Sequence, residues 1–78
     1  MTAIFKGRRG DRVIVQTDHG FFIANAIDDC DFDVGEVVHG VSRDHGTQYW
    51  RGAAGNVVEV YVEGFDATAA TALRWLHP

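Results

Sequence analysis

The most distinctive chemical feature of the chain is a run of acidic residues near its middle. The nine-residue segment Asp28–Glu36 contains five carboxylates and no basic residue. Asp29, Asp31 and Asp33 follow the spacing that begins an EF-hand calcium loop, but the sixth position lacks the glycine of that loop and the twelfth lacks its glutamate. The segment is therefore predicted to be a solvated acidic turn, and no metal site is expected.

The residue types that perform nucleophilic or metal chemistry are few and badly spaced. The histidines are His19, His39, His45 and His77. Cys30 is the only cysteine, so it has no second thiol at ligand spacing and no partner for an internal disulfide. Ser42 is the only serine and does not lie in a nucleophile motif. We expect neither an enzyme nor a bound cofactor.

Size and composition indicate one small folded domain that spans residues 1–78. Of these residues 46% are apolar and 23% are charged, and the net charge is −4. No apolar run approaches the roughly 18 residues that cross a bilayer, and no signal-peptide pattern is present, so a cytoplasmic protein without membrane contact is expected. A core of this size contributes little stability, which favours self-association.

Short runs rich in Val, Ile, Phe and Tyr alternate with Gly, Asp and Asn, a pattern typical of a small all-β barrel. The predicted strands are Ala3–Phe5, Arg12–Thr17, Phe21–Asp28, Val34–Arg43, Thr47–Arg51 and Val57–Glu63. In the last strand Val58, Val60 and Val62 share one face, which is predicted to be buried. Two Asp-His-Gly tripeptides, at 18–20 and 44–46, are predicted to form hairpin turns.

An alanine-rich segment after the last strand predicts a C-terminal helix over about 66–76, with Asp66 as its N-terminal cap. Ala69, Leu73 and Leu76 lie at helical spacing and are predicted to face the barrel.

Basic residues are concentrated at the start of the chain. Lys6, Arg8, Arg9 and Arg12 stand against one carboxylate, Asp11, in the first twelve positions. This basic edge is suited to steering nucleic acid, or to contacting the acidic segment of a neighbouring subunit.

Two segments resemble the motifs of a known family. The stretch from Val13 to Ile23, with its Thr-Asp-His-Gly turn, resembles the opening strands of the Sm-like (Sm/Hfq-type) family of RNA-binding ring proteins, and Asp31 falls on the family's aspartate. The sequence from Tyr49 to Gly52, followed after a short turn by alternating valines, resembles the second family motif. The resemblance covers about residues 12–62.

The resemblance implies a small, strongly bent, five-stranded antiparallel Sm-like/SH3-like barrel with a C-terminal helix. Family members form rings by pairing edge strands between subunits, here Thr47–Arg51 and Val57–Val62. The resemblance further implies a non-catalytic oligomer that binds single-stranded RNA. The residues carried over to RNA binding are Arg51, Gly52, Asp31 and Gly35, with Lys6, Arg8 and Arg9 as the basic edge.

Departures from the family pattern leave alternatives open. Gly35 stands where the family has a base-contacting asparagine, and the net charge is negative. The alternative function is therefore a protein-interaction or scaffold barrel that has lost the RNA pocket. For Arg51, the alternative to a base contact is an ion pair with a carboxylate such as Asp31.

Overall fold

The computed structural model describes all residues 1–78 and contains six strands and one helix. The strands are β1 (Ala3–Arg9), β2 (Arg12–Thr17), β3 (Gly20–Ala26), β4 (Val37–Val38), β5 (Gly46–Arg51) and β6 (Val57–Ala67), and the helix is α1 (Ala69–Leu76). This confirms the predicted all-β antiparallel barrel with a C-terminal helix, with six strands where five were expected. Of the predicted strand over 34–43, only Val37–Val38 is a strand.

The sheet closes on itself within one chain. Its order is β4-β1-β2-β3-β6-β5, and His39 joins the two outermost strands, because its N–H donates to Arg51 O (2.8 Å) and the Arg51 N–H donates to His39 O (2.9 Å). The prediction that Val57–Val62 is a free edge is wrong, since β6 pairs with β3 on one side and β5 on the other. Self-association by pairing of exposed edge strands is therefore not available at β6 or at the Arg51 end of β5, where the backbone is already paired.

A glutamine side chain fastens the loop that lies along the rest of β5. Gln48 Nε2 donates to the carbonyl oxygens of Ser42 (2.6 Å) and Asp44 (2.9 Å), and Gln48 Oε1 accepts from the Ser42 N–H (3.0 Å). The second Asp-His-Gly tripeptide belongs to this loop and leads into β5, so the prediction of a hairpin there is wrong. The first one does form the hairpin turn between β2 and β3.

The barrel interior is filled by side chains that alternate along each strand. Val58, Val60 and Val62 of β6 are fully buried, as their spacing predicted. Phe22 of β3 lies edge-on to Trp50 of β5, with ring centroids 6.5 Å apart. The opposite face of the same strands is consequently directed outward, toward solvent or α1.

The helix begins one turn later than predicted. Thr68, not Asp66, is the N-cap, and its Oγ1 accepts from the Thr71 N–H at 3.2 Å. Asp66 instead adopts a left-handed conformation (φ 56°) within β6 and forms an ion pair with Arg43.

The helix packs on the outer surface of β1 to β3, and of the predicted stripe Leu76 is buried there while Ala69 and Leu73 are exposed. Ala72 and Leu76 are buried against Ile14, whereas Leu73 is exposed. The Arg12 guanidinium lies 4.3 Å from the centroid of the Trp75 ring and donates to the Trp75 carbonyl at 2.8 Å, which holds the end of the helix to β2. At eight residues, α1 is too short to span a bilayer, and the structure contains no other helix.

Candidate functional site

Two of the residues expected at an RNA site meet at the turn between β5 and β6, because Gly52 belongs to this turn and Asp31, from the segment between β3 and β4, contacts it. Asp31 accepts a hydrogen bond from Asn56 Nδ2, and the Gly52 N–H donates to Asn56 O at 2.8 Å. Gly52 is buried, and its backbone is in contact with the side chains around it. The structure thus gives Asp31 and Gly52 a role in ordering this turn.

Arg51 is directed away from that turn. The strand alternates, so that Trp50 is buried while Arg51 and Tyr49 are exposed on the outer surface of β5. The alternative that Arg51 pairs with Asp31 is wrong, because Arg43–Asp66 is the only ion pair in the structure. The Arg51 guanidinium is therefore free to contact a ligand.

Gly35 lies at a third place, in the loop before β4. Its N–H donates to Phe5 O at 2.8 Å and its φ of 94° is in the left-handed region, which explains the glycine as a turn residue. Because residue 35 is a glycine, it has no side chain that could reach toward Arg51.

The basic edge lies on β1, which only the short strand β4 separates from β5. Lys6, Arg8 and Arg9 are all exposed. Arg9 is hydrogen-bonded to His77 through Nη1 and Nδ1 (2.9 Å), whereas Lys6 and Arg8 have no ion-pair partner.

Carboxylates of the acidic segment accept hydrogen bonds from backbone N–H groups within the segment and in other parts of the chain. The two carboxylate oxygens of Glu36 accept from the N–H groups of Asp33 (2.9 Å) and Ala53 (2.8 Å). Asp28 likewise accepts from the Glu59 N–H at 3.2 Å. No group of three or more histidine, cysteine or acidic side chains is arranged to hold a metal ion.

Cys30 is a buried residue within this segment. Burial raises the pKa of its thiol above the ordinary value, and this outweighs the lowering by a hydrogen bond to the Phe32 backbone and by the charge of Arg8. The thiol is thus protonated at neutral pH and is poorly suited to act as a nucleophile.

The surface best suited to binding is the outward side of β5 and β6, which the motif analysis did not single out. We define the β5–β6 face by the outward residues Thr47, Tyr49, Arg51, Val57, Glu59, Tyr61 and Glu63, together with Ile27 just after β3. Four large apolar side chains on it are strongly exposed: Tyr49 (62%), Val57 (58%), Ile27 (55%) and Tyr61 (45%).

The strand register places these side chains next to one another. Tyr49 lies opposite Glu59, Thr47 opposite Tyr61, and Arg51 opposite Val57. Tyr49 and Tyr61 are thus diagonal neighbours, about 7–8 Å apart at Cα, within reach of aromatic side chains.

Beside Arg51 the face continues into a shallow depression of about 230 Å³, lined by His39, Gly40, Tyr49, Arg51 and Val57. A small ligand group or side chain fits there, with the guanidinium and the tyrosine ring as its walls.

The signal for this face is present in the sequence. In β6 the outward partners of the buried valines include Tyr61, and in β5 Tyr49 is outward beside buried Trp50. These outward aromatic residues, taken together with the other exposed apolar side chains of the face, indicate an interaction surface.

The chain matches no protein-family model, no curated protein and no solved structure. The Sm-like resemblance therefore stays a prediction from the motifs, and the function is inferred from the geometry of the face.

Proposed function

We propose that this chain is a non-catalytic protein-interaction barrel that binds its partner through the β5–β6 face. The observation that carries the proposal is the clustering of exposed apolar side chains. Eight large apolar side chains are exposed in the whole molecule, and four of them, Ile27, Tyr49, Val57 and Tyr61, share this face. Scattered exposed apolar residues are normal, whereas a contiguous set marks an interaction surface.

The chemistry of the face supports a protein partner. Tyrosine and arginine are the residue types enriched at the energetically dominant positions of protein interfaces, and Tyr49, Tyr61 and Arg51 supply both. The face is built on paired strands, so its backbone is already ordered before binding. Glu63, at one end of the face, supplies a hydrogen-bond acceptor as at a polar rim, and Glu59 lies beside Tyr49.

Single-stranded RNA is the second candidate, favoured by one observation. Arg51 has no ion-pair partner and lies beside exposed Tyr49, an arrangement that could stack on a base. The unpaired Lys6 and Arg8 of β1 would assist by contacting phosphates. Glu59, Glu63 and the net charge of −4 oppose this ligand electrostatically, so we rank it below a protein partner.

Replacing Tyr61 by aspartate is expected to abolish partner binding, because it removes one of the two exposed aromatic rings of the face and adds a second carboxylate close to Glu59. The measurement is affinity capture from cells with tagged wild-type and Tyr61→Asp proteins, followed by identification of the bound proteins by mass spectrometry. The matched control is Leu73→Asp, which introduces the same charge at an exposed leucine on α1. A bound protein shared by wild type and the control but lost from Tyr61→Asp supports the proposal. If all three capture the same proteins equally, the β5–β6 face is not the binding surface.

Titration of a fluorescent uridine-rich oligonucleotide is expected to give only weak, salt-sensitive binding, with a Kd on the order of 100 µM or higher at physiological salt. The Arg51→Ala variant is expected to bind about equally weakly, since the carboxylates of Glu59 and Glu63 on the same face oppose phosphate binding. Tight binding by wild type that Arg51→Ala removes would replace the protein partner by RNA as the ligand of this face.

A further inference from the structure

We infer that the partner of the β5–β6 face is a second copy of this chain, bound face to face around a two-fold axis. The inference rests on the proposed interaction function and names its partner. Because the barrel closes through His39 and Arg51, strand addition is not available at that point, and side chains must make the contact. What selects a second copy is the distribution of charge along the face.

The face carries opposite charges at its two ends. The strand register orders its residues in four rows: Arg51 with Val57, then Tyr49 with Glu59, then Thr47 with Tyr61, and finally Glu63. Arg51, the only base of the face, is therefore in the first row. Glu63 is in the last, where it accepts from Asn25 Nδ2 at 2.8 Å and keeps a second carboxylate oxygen without a hydrogen-bond partner.

A two-fold axis that lies between the two faces and runs across the strands exchanges these ends. It places Arg51 of one copy against Glu63 of the other, twice over, because each contact of a two-fold interface occurs in both directions. The same operation lays the Thr47 and Tyr61 row on the Tyr49 and Glu59 row of the second copy. Tyr49 and Tyr61 of both copies then lie at the centre beside the two Glu59 side chains, and Arg51 pairs with Glu63 at both ends.

The size of the face predicts a weak dimer. Rows lie about 6.8 Å apart along the strands and strands about 4.8 Å apart, so the face measures roughly 20 by 15 Å with its side chains. This is smaller than the roughly 800 Å² per partner of a standard interface. We therefore expect a reversible dimer with a dissociation constant on the order of 10–100 µM.

A charge exchange between Arg51 and Glu63 tests the inference. Sedimentation equilibrium of the purified chain from roughly 10 µM to 1 mM is expected to show a monomer–dimer equilibrium that salt weakens. Arg51→Glu and Glu63→Arg are each expected to weaken the dimer about tenfold or more, because each creates two like-charge contacts. The double variant, in which the pair is reversed, is expected to regain most of the affinity. Arg74→Glu, an equal charge change on exposed α1, is the matched control and is expected to leave the equilibrium unchanged.

A chain that stays monomeric at every concentration overturns the inference, as does a dimer that the single reversals leave intact. Circular dichroism verifies that each variant is folded. If a variant fails to fold, the wild-type protein is instead diluted while its backbone amide chemical shifts are recorded. Concentration-dependent shift changes at residues outside the β5–β6 face would count against the inference. Affinity capture distinguishes a failure of the dimer inference from a failure of the proposed interaction function. A different protein that Tyr61→Asp loses would keep the face as an interaction surface while excluding a second copy as its partner.

Discussion

Trp50→Ala is expected to lower the free energy of unfolding by about 3–5 kcal/mol, the range for removing a large buried aromatic side chain. Trp50 is fully buried and lies edge-on to Phe22 in the barrel interior. Its indole Nε1–H also donates to Gln48 Oε1 at 2.8 Å. The same oxygen accepts from the Ser42 N–H, so the substitution removes one partner of the side chain that fastens the loop along β5.

The measurement is urea denaturation followed by circular dichroism. A domain of this length typically has a stability of about 4–12 kcal/mol, so Trp50→Ala removes a large part of it. Trp50→Phe keeps most of the apolar volume but removes the hydrogen bond to Gln48, and a loss of about 1–2 kcal/mol is expected. Tyr49→Ala is the matched control on the exposed side of the same strand and is expected to change stability by no more than about 0.5 kcal/mol. A Trp50→Ala loss as small as that of Tyr49→Ala would contradict the assigned interior.

Alternating strands were the part of the fold that the sequence could predict. The bounds of β2 were predicted correctly, and so was the burial of Val58, Val60 and Val62, because a period of two residues leaves one consistent choice of buried face. Closure of the barrel could not be predicted in this way. It depends on His39 bonding to Arg51 and on Gln48 holding a loop without periodicity, and such contacts between distant residues leave no local pattern.

The candidate site was likewise only partly predictable from the sequence. Motif matching selected Arg51 and Gly52 together because they are adjacent in sequence, yet alternation directs one outward and the other into the turn. Tyr49 and Tyr61 were recognisable as outward residues from their strands alone. Their position as diagonal neighbours required the register of β5 on β6, which the sequence did not specify.

Gly52→Ala is expected to destabilise the barrel by about 2–4 kcal/mol, the combined cost of an overpacked contact and of displaced hydrogen bonds to a charged group. A methyl group at Gly52 would lie 2.7 Å from Asn56 Oδ1 and 2.9 Å from Phe32 Cε1, and it would collide with the Glu36 carboxylate. Phe32 is buried in the main core, so it cannot move without disturbing the core. Glu36 cannot move without giving up its hydrogen bond to the Ala53 N–H.

The control for this substitution is Gly55→Ala in the same turn. Gly55 has a φ of 89° and open space around it, so alanine there costs only the left-handed backbone conformation, about 1–2 kcal/mol. Urea denaturation of both variants separates the two effects, because Gly52 has no such backbone requirement and its cost is steric. The Glu36→Gln variant of Gly52→Ala is expected to recover none of the loss, since the amide has the same volume as the carboxylate. If Gly52→Ala were as stable as wild type, the turn between β5 and β6 would be loosely packed, and the glycine would have to be explained by close approach of a ligand instead.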